Sequence, residues 1–330
     1  INVLTNRLEK NSYFLTYKNL VTHAMNIPII SIFVIFLIMN SCSLSIILVI
    51  LNKTYKGVVL LFNIEKHSEI SNEDGILMAK CTANVPSNPM SVYSFNVDGI
   101  LIDTGSSSLV NEFKPYFDQA DFDAIYLTHF HEDHVGNVSY LQQQSNTPTF
   151  IHQMSTHLTT KPFRIPTYRQ AVWGECKPFT SQALGDTFTS RHHTWEVVET
   201  PGHTKDHVAF YNRDLGAMFT GDLFITPKVK LVLVDENILE TLDSLKKLQA
   251  YDFNDMYCCH AGHVKDAKKW IQLKIDYLEQ LQGKVLDLAQ QGKDVHEITA
   301  QLFPNTYPII AVSNTEWSPL HMIRTFMDHG

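Results

Sequence analysis

Hydrophobic and polar positions change texture twice along this 330-residue chain. Residues 27–51 carry no charge and are rich in Ile, Leu and Val. That run is long enough to span a bilayer as a helix, for which about 20 apolar residues suffice. Lys10 and Lys18 before it balance Lys53 and Lys56 after it, so charge predicts no orientation. Residues 52–75, with Glu65, Lys66, Glu69, Glu73 and Asp74, read as a linker. From about Met78 the pattern is globular. Ser91 to Val97 alternates like a half-buried strand, Asp98-Gly99 signals a hairpin, and Ile100 to Asp103 returns. Further strands are predicted at 124–127, 149–152, 187–188, 195–200, 208–211, 217–220 and 256–259, with helices over 111–117 and 237–249. Residues 155–182, carrying Pro162, Pro166 and Pro178, read as an irregular lid or binding loop. Ile271, Ile275, Leu278, Leu281, Val285 and Leu288 then recur at helical steps. A short helix through Ile298 stops at Pro304, and Ser318-Pro319 opens a last one. The pattern predicts an α/β core with a helical C-terminal cap.

Composition narrows this picture. With 44% hydrophobic and 18% charged residues the chain can build a core. A net charge of -8 and the lack of a basic arm argue against a nucleic-acid partner. The five cysteines have no zinc-knuckle or disulfide spacing. Cys258 and Cys259 read as core residues of a strand. Two readings of the first residues follow. Either 27–51 is a membrane anchor, or the leader is a stretch translated ahead of a start such as Met78. The protein is membrane-anchored in the first case and cytoplasmic in the second.

The candidate chemistry is concentrated at Thr128-His129-Phe130-His131-Glu132-Asp133-His134. Imidazole and carboxylate are the ligands zinc takes outside thiolate sites. Glu132 reads as solvent-facing. One cluster supplies only part of a metal shell, and the chain offers three more donors at predicted strand ends: His203, Asp222 and His260. His263 competes with His260. His152, His157, His192, His193, His296 and His321 read as structural or surface residues.

Five ordered pieces resemble the metallo-β-lactamase superfamily: Leu101-Ile102-Asp103-Thr104-Gly105, the His129–His134 cluster, Pro201-Gly202-His203-Thr204, Thr220-Gly221-Asp222 and Cys259-His260-Ala261-Gly262. The resemblance covers roughly residues 78–262. It implies a four-layer αββα sandwich over 78–265, followed here by a helical extension over 266–330 and preceded by a leader over 1–77. It also implies two zinc ions, with iron or manganese as alternatives. His129, His131 and His203 would hold one metal, and Asp133, His134 and His260 the other. Asp222 would bridge them, and Asp103 would orient the site. A shared water brought to a pKa near ~7 would become the bridging nucleophile. Asp133 would be the catalytic residue that orients it and passes on its proton. Arg164, Tyr168, Arg169 and Trp173 are the substrate-contact candidates, Arg for an anionic group and the aromatics for stacking or oxyanion contact.

The leading expectation is hydrolysis of a small ester, thioester, lactone or amide. The rivals are an iron-dependent oxidoreductase resembling the persulfide dioxygenases of the same fold, a nuclease or phosphodiesterase, and a membrane-tethered binding protein with a dead site. A small-molecule partner is expected, nucleic acid is not, and a membrane is a partner only through 27–51. No oligomeric state is legible.

Overall fold

A computed structural model describes residues 31–40, 43–52, 59–60, 64–85 and 88–329. The chain divides into two units, Ile1–Asn63 and Ile64–Gly330. In the first, the apolar run does not form the expected membrane helix. Ser31–Asn40 and Ser43–Asn52 are antiparallel strands, paired from Ser31 with Asn52 to Asn40 with Ser43. β-branched Ile and Val favour extended backbone. Residues 27–30 and 41–42 lie outside the described residues. Among the described residues no helix is long and apolar enough to cross a membrane.

The second unit holds two mixed sheets. The seven-stranded sheet runs, edge to edge, Gln182–Ala183, Thr149–Ile151, Phe122–Tyr126, Gly99–Ile102, Asn88–Val97, Ile76–Val85 and Glu65–Glu73. The six-stranded sheet runs Thr187–Thr189, Thr194–Glu199, Val208–Asn212, Ala217–Gly221, Asp255–Cys258 and Gly262–Val264. The linker reading of 52–75 fails over Glu65–Glu73, which pairs along its whole length with Ile76–Val85. It is almost entirely exposed, so it lacks the apolar alternation that marks a covered strand. The boundary placed at 77/78 therefore falls inside a strand, and a chain begun at Met78 would lose the strand next to it.

Side-chain alternation explains the layers. Ile100 and Ile102 face one way, with Phe95 and Tyr126, and meet Trp195, Phe210, Phe219 and Tyr257 of the other sheet. Leu101 and Ile125 face the other way, onto Phe113 and Tyr116 of the helix Val110–Phe117 and Leu141 of the helix Val138–Gln144. Ala209, Tyr211 and Met218 likewise leave the inter-sheet core and meet the helices Ile238–Gln249, Ala267–Gln290 and Pro319–His329. The result is the expected αββα sandwich with a helical C-terminal extension.

Local signals act where the sequence places them. Asp98 and Gly99 take φ of 47° and 80°, the left-handed pair of a two-residue hairpin, and Val97 pairs with Ile100. Asn237 caps its helix by accepting from the N–H groups of Leu239 and Glu240. Asp294 and Glu297 form a capping box at the start of Val295–Leu302.

Candidate metal centre

Each donor follows a strand, so the sandwich delivers them to one edge. The strand Gly99–Ile102 ends at Asp103, and Phe122–Tyr126 leads into the histidine cluster. Asp103 is fully buried with φ of 53°. Its Oδ1 accepts the Thr128 N–H at 2.8 Å. Its Oδ2 lies 2.8 Å from the Thr128 hydroxyl, 2.8 Å from His134 Nδ1 and 2.9 Å from the Cys259 thiol. Asp103 thus holds the Nδ1–H tautomer of His134 and leaves its Nε2 free. Because the Thr128 hydroxyl donates to Asp103, its oxygen accepts from His129 Nδ1 at 3.1 Å. His129 Nε2 is freed in the same way. His260 Nδ1 donates to the Ser91 carbonyl at 2.7 Å, which aims its Nε2 inward.

The free atoms converge. One donor atom from each of His129, His131 and His203 lies within 4.8 Å of the others, and the same holds for Asp133, His134 and His260. Asp222 Oδ2 sits 3.4 Å from His134 Nε2, 3.4 Å from His203 Nε2 and 3.2 Å from His260 Nε2. His263, the rival of His260, instead stacks on Tyr257 and bonds Glu73. His129 Nε2, His134 Nε2 and Asp222 Oδ1 are buried without a hydrogen-bond partner.

Burial, with His134, His131 and His203 close by, holds His129 well below the ordinary imidazole range. Burial and His203 do the same to His131. His134 and His260 go the other way. Burial opposes their protonation, but Asp222 outweighs it, together with Asp103 and Asp133 at His134 and Asp133 at His260. Burial raises the Asp133 and Asp222 carboxyls, yet the neighbouring histidines prevail and hold both below the carboxylate range. The carboxylates therefore favour protons on His134 and His260 when no cation is bound. A cation entering the site must displace them, so uptake near pH 7 is expected to release protons and to weaken as pH falls. Calorimetric titration in buffers of different ionisation enthalpy measures the number; release of no proton would contradict this charge pattern.

Three features were not foreseen. His207 accepts the Asp222 N–H on Nε2 at 3.0 Å and bonds the Thr200 hydroxyl through Nδ1 at 2.8 Å. Burial and His203 bring its pKa down to about 3, so it stays neutral. Gly221, at φ 48°, passes so close that a Cβ would lie 2.6 Å from His207 Nε2. Glu132 is not solvent-facing. It is fully buried, and Arg169 grips both its oxygens, through Nε and Nη2, at 2.6 Å each.

A family profile described as the metallo-beta-lactamase superfamily matches residues 92–260, half of the chain. The chain belongs to the metallo-beta-lactamase superfamily. The chain is similar to a probable metallo-hydrolase, YybB, of Bacillus subtilis (strain 168). It is 32% identical over 131 residues, 37% of this chain and 56% of its own length. A hydroxyacylglutathione hydrolase of Bdellovibrio bacteriovorus is 28% identical over 163 residues, 49% of this chain and 57% of its own length. The chain thus spans little more than half the length of these relatives. A beta-lactamase domain protein from Burkholderia ambifaria shares the fold with a TM-score of 0.60. It is 15% identical, and the match covers 78% of this chain and 87% of that one.

The four expected substrate contacts divide. Beside His131 and His203 lies a cavity of about 530 Å³, bounded also by Arg169, Lys205, Leu233 and Glu316. Arg169 is the one candidate that lines it. Trp173 is buried, its ring 6.3 Å from that of His260, and Arg164 is exposed. The Tyr168 hydroxyl is buried without a hydrogen-bond partner.

Proposed function

We propose that this chain is a metal-dependent hydrolase whose site takes two zinc ions and cleaves a small ester, thioester, lactone or amide. The observation that carries this reading is the set of three orphaned atoms, His129 Nε2, His134 Nε2 and Asp222 Oδ1. Each buried polar atom without a partner costs about 1–3 kcal/mol. Cations would satisfy them together. His129, His131 and His203 would hold one ion and Asp133, His134 and His260 the other, with Asp222 between them. This all-imidazole and carboxylate set also suits iron or manganese.

Bound zinc would supply Lewis acidity and bring the pKa of a water to about 7. The chain's own residues do the rest. The Asp133 carboxylate, 3.3 Å from His260 Nε2, would orient the attacking water and pass on its proton. Asp103 keeps His134 in a single tautomer, while His207 holds the backbone at Asp222. Arg169 and Lys205, at the cavity, face the substrate's polar end, and Leu233 packs its apolar part. The hydroxyacylglutathione hydrolases among the relatives support an acyl substrate, with thioesters first to be tried.

The test is a panel of matched esters, thioesters, lactones and phosphodiesters, run on full-length protein. At least one acyl substrate is expected to turn over, to fall to background with a chelator and to recover with zinc. Copurified iron with oxygen consumption on persulfides would instead support the oxidoreductase alternative. Turnover confined to phosphodiesters would overturn the acyl reading.

A further inference from the structure

Lys274 lies on the helix Ala267–Gln290, in the C-terminal extension, and only 4% of it is exposed. Ile271, Ile275 and Leu278 on the same face are buried in one apolar cluster with Met218, Leu223 and Phe224. Lysine is rarely buried so deeply unless it is paired. Here Nζ donates to two backbone carbonyls, Leu223 at 2.8 Å and Phe224 at 2.6 Å. It also stands 5.9 Å from the centre of the Phe224 ring. An apolar side chain would fill this space without the penalty of desolvating a charge. Burial pulls the ammonium down to about 8, so it is still mostly charged at neutral pH.

Those two carbonyls belong to the residues that follow Asp222. On the strand side the turn is fixed by His207, which accepts the Asp222 N–H, and by Gly221, which has no room for a Cβ. Just beyond the lysine's grip, Ile225 has φ of 48°. A β-branched residue in the left-handed region is strained and persists only where its surroundings hold it. On the side that faces the helix Ala267–Gln290, Lys274 restrains the turn through these two bonds.

We propose that Lys274 is a positioning residue. By holding the Leu223 and Phe224 carbonyls it aims Asp222 between the two histidine sets, so the C-terminal extension sets the metal bridge. This rests on the dinuclear reading above. It gives the extension a role at the metal site, separate from any contact with substrate.

The test compares full-length wild type, Lys274→Met and Ile271→Val. Chelator-stripped protein is titrated with zinc, and circular dichroism reports the fold. Methionine keeps the core filled, and Ile271→Val disturbs the same helix face without touching the turn. Wild type is expected to take two equivalents. Lys274→Met should stay folded, bind the first zinc normally and bind the second at least about tenfold more weakly, the usual effect of losing a supporting partner. Ile271→Val should leave both affinities unchanged. The proposal is overturned if Lys274→Met binds both ions like wild type, if it does not fold, or if Ile271→Val weakens the second site equally. Fewer than two equivalents on wild type would instead sink the dinuclear reading, and this proposal with it.

Discussion

Asp222→Ala is expected to lower kcat/KM for any acyl substrate by on the order of 10³-fold, and to reduce bound metal from two equivalents to one or fewer. The size follows from position. Asp222 Oδ2 lies within 3.4 Å of three histidine nitrogens drawn from both triads. Asp103→Asn is the calibrating variant. It touches the site only through His134, Thr128 and Cys259, so a smaller loss of roughly 10–100-fold is expected. Steady-state kinetics with metal analysis on the same samples measure both. The reverse order, with Asp103→Asn the more damaging, would mean that Asp222 does not bridge.

Arg169→Ala is expected to destabilise the protein by about 3–5 kcal/mol, the range for breaking a buried ion pair from one side. Arg169 closes both oxygens of Glu132, which is completely buried between the donors His131 and Asp133. Burial and Asp133 already push the Glu132 carboxyl up, and Arg169 is what opposes them. Without the guanidinium, Glu132 must take a proton or stay charged and unpaired. The pair also ties the helix Thr167–Trp173 to the loop that carries His131 and Asp133, and Nη1 reaches to 3.6 Å from Glu316 in the C-terminal extension. Denaturant unfolding of Arg169→Ala, Glu132→Gln and the double variant measures the coupling. The double variant should be less damaged than the sum of the singles. Additive losses would show that the two groups act independently.

Much of the fold, and the grouping of candidate donors at its strand ends, was legible because both are written in local signals. Asp98-Gly99 announced its hairpin and Ile100 to Asp103 its returning strand, whose unbroken apolar run fits burial on both faces, and each candidate donor followed a strand. What failed depended on partners distant in sequence. Glu132 looked exposed because its neighbours are polar, and Arg169, 37 residues away, is what makes its burial tolerable. His207 stands four residues past His203, close enough to be noticed, but its job is to accept a backbone N–H, which no spacing rule reveals. Asp74-Gly75 is the same dipeptide as Asp98-Gly99, with φ of 53° and 84°, but no alternating strand precedes it in the sequence to mark a hairpin. The strand before it, Glu65–Glu73, shows no apolar alternation, since an exposed edge strand needs only a backbone partner. The apolar run 27–51 is long enough for a membrane helix, whereas the β-branched content of 31–40 and 43–52 favours the paired strands seen there. Lys274 stands beside the apolar positions Ile271 and Ile275 of an amphipathic helix, and only the packing shows that it points inward.

The most direct test of the central claim is the metal content of full-length protein purified without added metal, measured by plasma mass spectrometry beside His260→Ala. The account predicts about two equivalents of transition metal per wild-type chain and about one per His260→Ala chain, with turnover lost in the variant. A wild-type ratio near zero that zinc, iron and manganese all fail to raise would contradict it.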